Sequence, residues 1–311
     1  MGSFKKYFVE WGRLYLMAKN IENRKKVAIV QMCSSDNPYE NLALVNDFVQ
    51  EATDQGAELV CFPENVLYRG PKAKKGWSRE EITLKIQRGQ VEPTHEFSLE
   101  LIKSIESWTI DVSLGSVLEC GGADHIFNTH LYCTPQSSPQ GGIKAYQKIH
   151  LFRFEGKDVM YKEAKDFNSG TKLVTAKLGA ESIGLSICFD LRFPELFRKM
   201  SLDEGCSALL IPSAFAQETG EVHWHSLLRA RAIENQCMVF ASAQWGSHVD
   251  SRGQSCLCFG KALAVDPWGT ILWEGPAIGD AMGVVEWDVQ WQAKLRSRLP
   301  VLEDAQAWLR R

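Results

Sequence analysis

The sequence predicts an α/β domain of two packed sheets covered by helices, and three observations predict it. Residues 25–31 read as a strand, 41–53 as a helix and 58–62 as a second strand, which makes a βαβ unit. Residues 182–187 alternate small and β-branched apolar side chains, stop at Cys188, and give way to Leu191, Leu196 and Met200 at helical spacing. Strand-like stretches then exceed what a simple doubly wound sheet needs, so the surplus calls for a second sheet.

The elements follow in order. In the first helix Leu42, Val45, Phe48, Val49 and Ala52 share a face, and Gly56 ends it. Pro63 breaks the next strand and Glu64 follows. Residues 65–93 are polar and irregular, with Tyr68, Arg69 and Trp77; their Lys72, Lys74 and Lys75 read as a solvated face. Residues 99–108 read as a helix, and 111–118, 128–133 and 142–147 as strands, the last leading up to Lys148. Pro194 and Glu195 suit a first helical turn after the cysteine. Residues 208–211 and 237–242 read as strands around a helix over 224–234. Residues 259–265 and 270–273 pair across Asp266-Pro-Trp-Gly269, a turn sequence. A last strand, 282–287, precedes a closing helix, 290–298. Residues 1–24 put Phe4, Tyr7, Phe8, Trp11, Leu14 and Tyr15 on one helical face among basic residues. A helix docked on the protein or a partner subunit, a membrane-surface helix and a targeting peptide all fit; Glu10 and Glu22 count against the last.

With 311 residues, 45% hydrophobic and 23% charged, the chain has the composition of a soluble protein with a large core. A net charge of -3 gives no reason to expect nucleic acid or an anionic membrane as partner. Nine cysteines, scattered among core-like segments, point to a reducing, cytoplasmic compartment. No apolar run is long enough for integral membrane insertion.

The chemistry collects at strand ends, where α/β sheets assemble sites. Glu64, Lys148 and Cys188 each follow a strand. A thiol, a carboxylate and an amine together suit acyl transfer: one attacks, one moves protons, one faces the oxyanion. The junction at Cys188 is similar to the strand–turn–helix elbow of serine hydrolases. Backbone N–H groups there are expected to lower the thiol's pKa. Metal is not expected: no C-x-x-C or H-E-x-x-H occurs, and Cys256 and Cys258 are read as facing opposite ways from one strand. His223 and His225 are read as packing or capping groups at a helix start.

Phe62-Pro63-Glu64, Tyr146-Gln-Lys148-Ile-His-Leu151 and Cys188-Phe-Asp-Leu-Arg-Phe-Pro-Glu195, in this order, resemble the three signature motifs of the nitrilase, or carbon–nitrogen hydrolase, superfamily. The likeness runs from about Val27 to Pro300. It implies a four-layer αββα sandwich of two mixed sheets covered by helices. It places a hydrolase domain over residues 25–300, an N-terminal amphipathic extension over 1–24 and a C-terminal tail over 301–311. It implies a catalytic triad of Glu64, Lys148 and Cys188, with a substrate-positioning glutamate at Glu163 and no cofactor. The residues after Cys188, with Pro212-Ser-Ala-Phe215 and Asp266-Pro-Trp-Gly269, resemble the amidase branch that includes ω-amidase and deaminated glutathione amidase.

The resemblance implies a thiol amidohydrolase cleaving a small carboxylate-bearing amide to acid and ammonia through a thioester. Lys148 and the Phe189 N–H would hold the oxyanion. Arg192 would pair with Glu195 or Asp190 or meet substrate, and Arg69 is a candidate for a substrate carboxylate. A homodimer or higher homo-oligomer is implied, with Leu227, Leu228 and Ile233 as contact residues. A nitrilase, an N-carbamoyl hydrolase and an interaction protein with vestigial activity are the alternatives.

Overall fold

The computed structural model describes residues 24–309 except 71–72, 75–76, 123–124, 139–140, 156–159 and 250–254. The expected amphipathic helix before Arg24, and Lys72 and Lys75 of the basic cluster, lie outside the described residues.

The strands of the two main sheets are β1 (Arg24–Met32), β2 (Leu59–Cys61), β3 (Asp111–Cys120), β4 (Ile126–Thr134), β5 (Gly142–Gln147), β6 (Thr175–Leu178), β7 (Glu181–Leu185), β8 (Ala208–Leu210), β9 (Met238–Ala241), β10 (Ala243–Val249), β11 (Ser255–Phe259), β12 (Leu263–Val265), β13 (Ile271–Glu274) and β14 (Ala281–Asp288). The main helices are α1 (Pro38–Asp54), α2 (Glu96–Ser107), α3 (Pro194–Asp203), α4 (Gln217–Asn235), α5 (Val289–Arg298) and α6 (Val301–Leu309). The first sheet has eight strands in the order β11-β10-β1-β2-β3-β4-β5, with β14 also paired to β1. The second has six, β6-β7-β8-β9-β12-β13. Both are mixed: β10, β1, β2 and β3 run parallel, as do β7, β8 and β9, and the remaining pairings are antiparallel.

Alternation along β1 builds the layers. Val27 and Ile29 join the core that holds Ile183, Leu185, Leu209 and Val239 of the second sheet. Ala28 and Val30 point the other way, into the core with Leu42, Val45 and Phe48 of α1 and Phe97 and Leu101 of α2. Leu196, Phe197 and Met200 of α3 and Trp224 and Leu228 of α4 cover the second sheet. The result is helix, sheet, sheet, helix. The start of α1 is fixed locally: Asn37 Oδ1 accepts from the N–H groups of Tyr39 and Glu40, and Pro38 opens the first turn.

Three expectations need correction. The helix expected from Trp224 starts at Gln217, which puts His223 and His225 within it and not at its start. Its first turns show no apolar spacing because Gly220 lies against β11; a Cβ there would come within 2.4 Å of the Phe259 ring. The strand expected over 259–265 is two strands in different sheets. Phe259 ends β11, the chain crosses at Gly260 and Lys261, both at positive φ, and β12 begins in the second sheet. Cys256 and Cys258 share a face, because residues two apart in an extended strand point the same way. The stretch expected as a C-terminal tail carries helix α6.

Candidate active site

Three strand ends meet between the sheets. Glu64 follows β2, Lys148 follows β5 and Cys188 follows β7 after Ser186 and Ile187. Gly115 brings the first of them into position. It sits at φ +64, where β3 shifts register against β4 between Ser113 and Ser116. A Cβ on Gly115 would lie 1.9 Å from the carbonyl oxygen of Pro63. Only a missing side chain lets the Phe62-Pro63-Glu64 backbone pass this close.

Lys148 and Glu163 are 2% and 5% exposed, and Glu64 is 4% exposed, so each charge needs a partner. Lys148 Nζ donates to Glu64 Oε1 at 2.9 Å and to Glu163 Oε1 and Oε2 at 3.1 and 2.9 Å. Asn128 Nδ2 donates to Glu64 Oε1 at 2.9 Å and to Glu163 Oε1 at 3.2 Å. The Ala214 N–H holds Glu64 Oε2 at 3.0 Å, and the Phe152 N–H holds Glu163 Oε2 at 2.6 Å. The Cys188 thiol lies beside this group, close enough for it and Glu64 to shift each other's ionisation.

The electrostatics assign resting charges. Burial works to raise Glu64, but Lys148 outweighs it and holds the carboxyl below its ordinary range. Burial likewise works against a charged Lys148, but Glu163 and Glu64 hold it well above the ordinary lysine value. Burial first, then the Glu64 charge, push the Cys188 thiol well up; Lys148 opposes them and loses. This corrects the expectation of a thiol lowered by helix N–H groups: desolvation beside a carboxylate dominates. The resting site is therefore a protonated thiol and an ionised carboxylate beside a charged ammonium.

Cys188 sits at φ +43, a left-handed conformation on a strand-to-helix turn. Its N–H donates to Pro212 O at 2.9 Å. The turn is a short 3₁₀ segment, Cys188–Arg192, which runs into α3 with Pro194 in its first turn. Asp190, fully buried, holds the turn. It accepts from the Ile187 N–H at 2.9 Å, the Tyr146 hydroxyl at 2.8 Å, and the His150 N–H and Nδ1 at 3.0 and 2.7 Å. Tyr146 and His150 flank Lys148, so one carboxylate ties the lysine's segment to the cysteine's.

The structure brings Glu64, Lys148, Cys188 and Glu163 together as the sequence predicts. Phe189 lies on the turn, its ring edge-on to Phe152 and Phe193 at 5.1 and 5.6 Å. Arg192 does not pair with Glu195 or Asp190. Asp190's oxygens are taken by the donors just named, and Arg192 turns instead to His223 Nδ1 at 3.2 Å and over the rings of Phe215 and Phe189 at 5.0 and 5.8 Å. Sequence reasoning missed Asn128 and Asp190. The signal for Asp190 was available: an acid two residues past Cys188, matched by Tyr146 and His150 around Lys148. A separate cleft, lined by Glu58, Asp111, Ser138 and Lys177, lies at the opposite ends of β2 and β3 from Glu64. Among the described residues no cluster of histidine, cysteine and acidic side chains could hold a metal ion.

Comparison with known proteins gives the family. The family described as carbon-nitrogen hydrolase matches residues 26–293. The chain belongs to the carbon–nitrogen hydrolases. This hydrolase is 32% identical over 282 residues to a deaminated glutathione amidase of Dictyostelium discoideum, covering 89% of this chain and 92% of that one. It is 33% identical to the deaminated glutathione amidase of Mus musculus, covering 89% and 82%. Among solved structures, Nit3 of Saccharomyces cerevisiae, a member of branch 10 of the nitrilase superfamily, aligns at a TM-score of 0.72 and 27% identity, over 89% of this hydrolase and 95% of Nit3. The C. elegans NitFhit protein aligns at 0.73 and 29% identity, and the hydrolase covers 65% of that longer chain.

Proposed function

We propose that this hydrolase cleaves a small, carboxylate-bearing amide through a thioester on Cys188. The observation that carries this reading is the buried Glu64 carboxylate, bonded to Lys148 at 2.9 Å and beside the Cys188 thiol. Glu64 takes the thiol proton as sulfur attacks the amide carbon. The carbonyl electrons move to oxygen, and the Lys148 ammonium and the Phe189 N–H meet that oxyanion. As the oxyanion collapses the C–N bond breaks, and Glu64 returns its proton to the nitrogen. Water then attacks the thioester, Glu64 takes one of its protons, and the acid leaves as the thiol is restored. Removing one oxyanion donor of this kind costs about 3–4 kcal/mol of transition-state stabilisation. Glu163 and Asn128 hold Lys148 and Glu64 in place, and Glu163 also presents an edge to substrate.

The names of the relatives favour deaminated glutathione or a similar acid as substrate. In such an amide the nitrogen carries a substituent, so it leaves as an amine and not as ammonia. The assay follows: deaminated glutathione, α-ketoglutaramate, a simple amide and a nitrile are offered side by side, and acid and amine or ammonia are measured. Turnover led by deaminated glutathione is expected, and turnover of the nitrile alone would overturn the reading. A thioester adduct on Cys188, trapped by acid quench and found by mass, is expected during turnover.

A cytoplasmic location and a homodimer belong to the same reading. All nine cysteines are free thiols, which favours a reducing compartment. Among the described residues no helix is long and apolar enough to cross a membrane. Leu228, expected at a subunit contact, is spent in the core. Ile233 and Trp268 remain, 47% and 48% exposed, on and beside α4, and they favour pairing of two copies there. Light scattering is expected to return at least twice 35.0 kDa.

A further inference from the structure

The cleft at the far end of β2 and β3 from Glu64 draws its walls from both sheets. Glu58 and Asp111 stand at the starts of β2 and β3, held side by side by the Asp111 N–H donating to Glu58 O at 3.0 Å. Pro135 follows the end of β4, and Leu178 ends β6 in the second sheet. The cleft measures about 550 Å³, within the range of small-molecule sites. One buried group in it is left over. Asp111 is only 8% exposed. Its Oδ2 accepts from the Tyr132 hydroxyl at 2.6 Å, and its Oδ1 has no hydrogen-bond partner among the described residues. Oδ1 is not sealed within the protein, so it opens on the cleft. A carboxylate oxygen placed this deep without a donor is costly.

The charges around it do not balance. Lys25 reaches in from β1, but its Nζ is held by Glu58 Oε2 at 3.1 Å. Lys177 borders the cleft, yet its side chain shares the α3 face of the second sheet with its partner Ser182, toward Cys206. Burial pushes the neighbouring Tyr132 and Cys133 up, Cys133 to about 12, so both stay neutral. Burial also raises the Asp111 carboxyl to about 6; the Tyr132 hydroxyl opposes this, Glu58 adds to it and Lys25 opposes it. Near neutral pH two carboxylates therefore share one ammonium. A divalent metal would ask for more oxygen ligands than these two side chains give. Ile110, Pro135 and Leu178 supply apolar wall beside the acids, which suits an organic cation. We propose that this cleft binds small primary ammonium compounds, with the ammonium held by Asp111 and Glu58 and the alkyl part on the apolar wall. The site is separate from the reacting cysteine and independent of the reaction proposed above.

Three probes test it: propylammonium; tetramethylammonium, with the same charge and no N–H; and propanol, with no charge. Each is titrated into the full chain and followed by amide NMR and calorimetry. Propylammonium is expected to bind with a Kd of about 1 mM, and the other two at least about tenfold more weakly. Its affinity is expected to fall about tenfold from pH 7 to pH 5, as the Asp111 carboxyl takes up a proton. Binding near pH 6 is expected to release protons, because the ammonium favours the ionised carboxyl. Asp111→Asn, which can keep the Tyr132 hydrogen bond, is expected to lose about ten- to hundredfold in affinity, and the pH dependence with it. Glu58→Gln is expected to lose about threefold. Thr109→Trp changes an exposed residue on the rim and is expected to block the cleft with its charges intact. If Asp111→Asn does not fold, Thr109→Trp and the proton release decide the matter. Absence of propylammonium binding, equal binding of tetramethylammonium, or affinity that survives Thr109→Trp or a folded Asp111→Asn would overturn the proposal.

Discussion

Two groups of lysine and carboxylate in this hydrolase use similar chemistry and differ in surroundings. At the surface, Lys261 Nζ meets Glu274 Oε1 at 2.5 Å and His225 Nε2 meets Glu274 Oε2 at 2.9 Å, with each side chain about a third exposed. Between the sheets, Lys148 meets Glu64 and Glu163, both at 2.9 Å, with almost no exposure. Water and salt screen the first group, so its contribution to stability is small. The second group has no water to fall back on. Removing a member leaves the others charged in a low-dielectric space. Contact distance therefore does not measure commitment, and the buried group is the one that depends wholly on its own members.

The largest effect should come from a change that keeps the buried charges and removes the sulfur. Cys188→Ala is expected to lower turnover by at least about 10⁴-fold. Folding should hold, since alanine meets the same left-handed backbone cost that cysteine already bears. Alkylation that kills activity while sparing Cys188, read by mass spectrometry, would contradict this.

Next comes the cation itself. Lys148→Met should abolish turnover and cost about 3–5 kcal/mol of stability near neutral pH, by urea denaturation. Part of that cost should return in acid, as the two stranded carboxylates protonate. Lys148→Arg keeps a charge but brings a planar fork where a compact ammonium fits, and a severe loss of turnover is expected. Loss of activity without loss of stability in Lys148→Met would break the contrast between the two groups.

A third change sharpens the contrast through pH. His130 lies between the sheets, its Nδ1–H donating to Ser186 O at 3.0 Å and its Nε2 accepting from the Ser113 hydroxyl at 2.7 Å. That is the neutral ring, and burial lowers its pKa from 6.5 to about 4. Because the folded value is depressed, its contribution is complete above pH 6.5. It is lost as pH falls through that value toward 4, because the unfolded chain takes the proton first. The loss is on the order of 3 kcal/mol. Asp111, raised to about 6 by burial, works in the opposite direction, so the readout is the difference between wild type and His130→Gln. The variant should show a flatter stability profile between pH 6.5 and 4.

The smallest effect belongs to the surface group. Lys261→Ala should cost at most about 1 kcal/mol, and 1 M salt should erase most of the difference. A cost near that of Lys148→Met would mean that exposure does not decide the matter.

Most of the domain, and the three strand-end residues that meet between the sheets, were legible because their signals are local. A strand that ends at Glu64, Lys148 or Cys188 announces itself in the residues just before it. What stayed hidden depends on neighbours distant in sequence. Asn128 reads as an ordinary strand polar residue until Glu64 and Glu163 arrive on either side. Arg192 has acidic residues two and three positions away, yet Tyr146, His150 and the Ile187 N–H already occupy Asp190. The crossing between sheets at Lys261 escaped notice because a lysine at positive φ carries no sequence mark. The early start of α4 was masked by Gly220, whose reason is Phe259.

Gly115 makes a claim on how variants of this hydrolase should be interpreted. It bears no chemistry and touches no reacting atom, so a catalogue of functional positions drawn by contact would omit it. A selection scored on growth would nonetheless return glycine there about as strictly as cysteine at 188, because any side chain would displace the Pro63 carbonyl. The failing clones would divide into two populations. Those altered at Cys188 would accumulate as inert protein, while those altered at Gly115 would be scarce in the cell. Abundance measured beside activity would separate the residue that reacts from the empty space that lets Glu64 reach it.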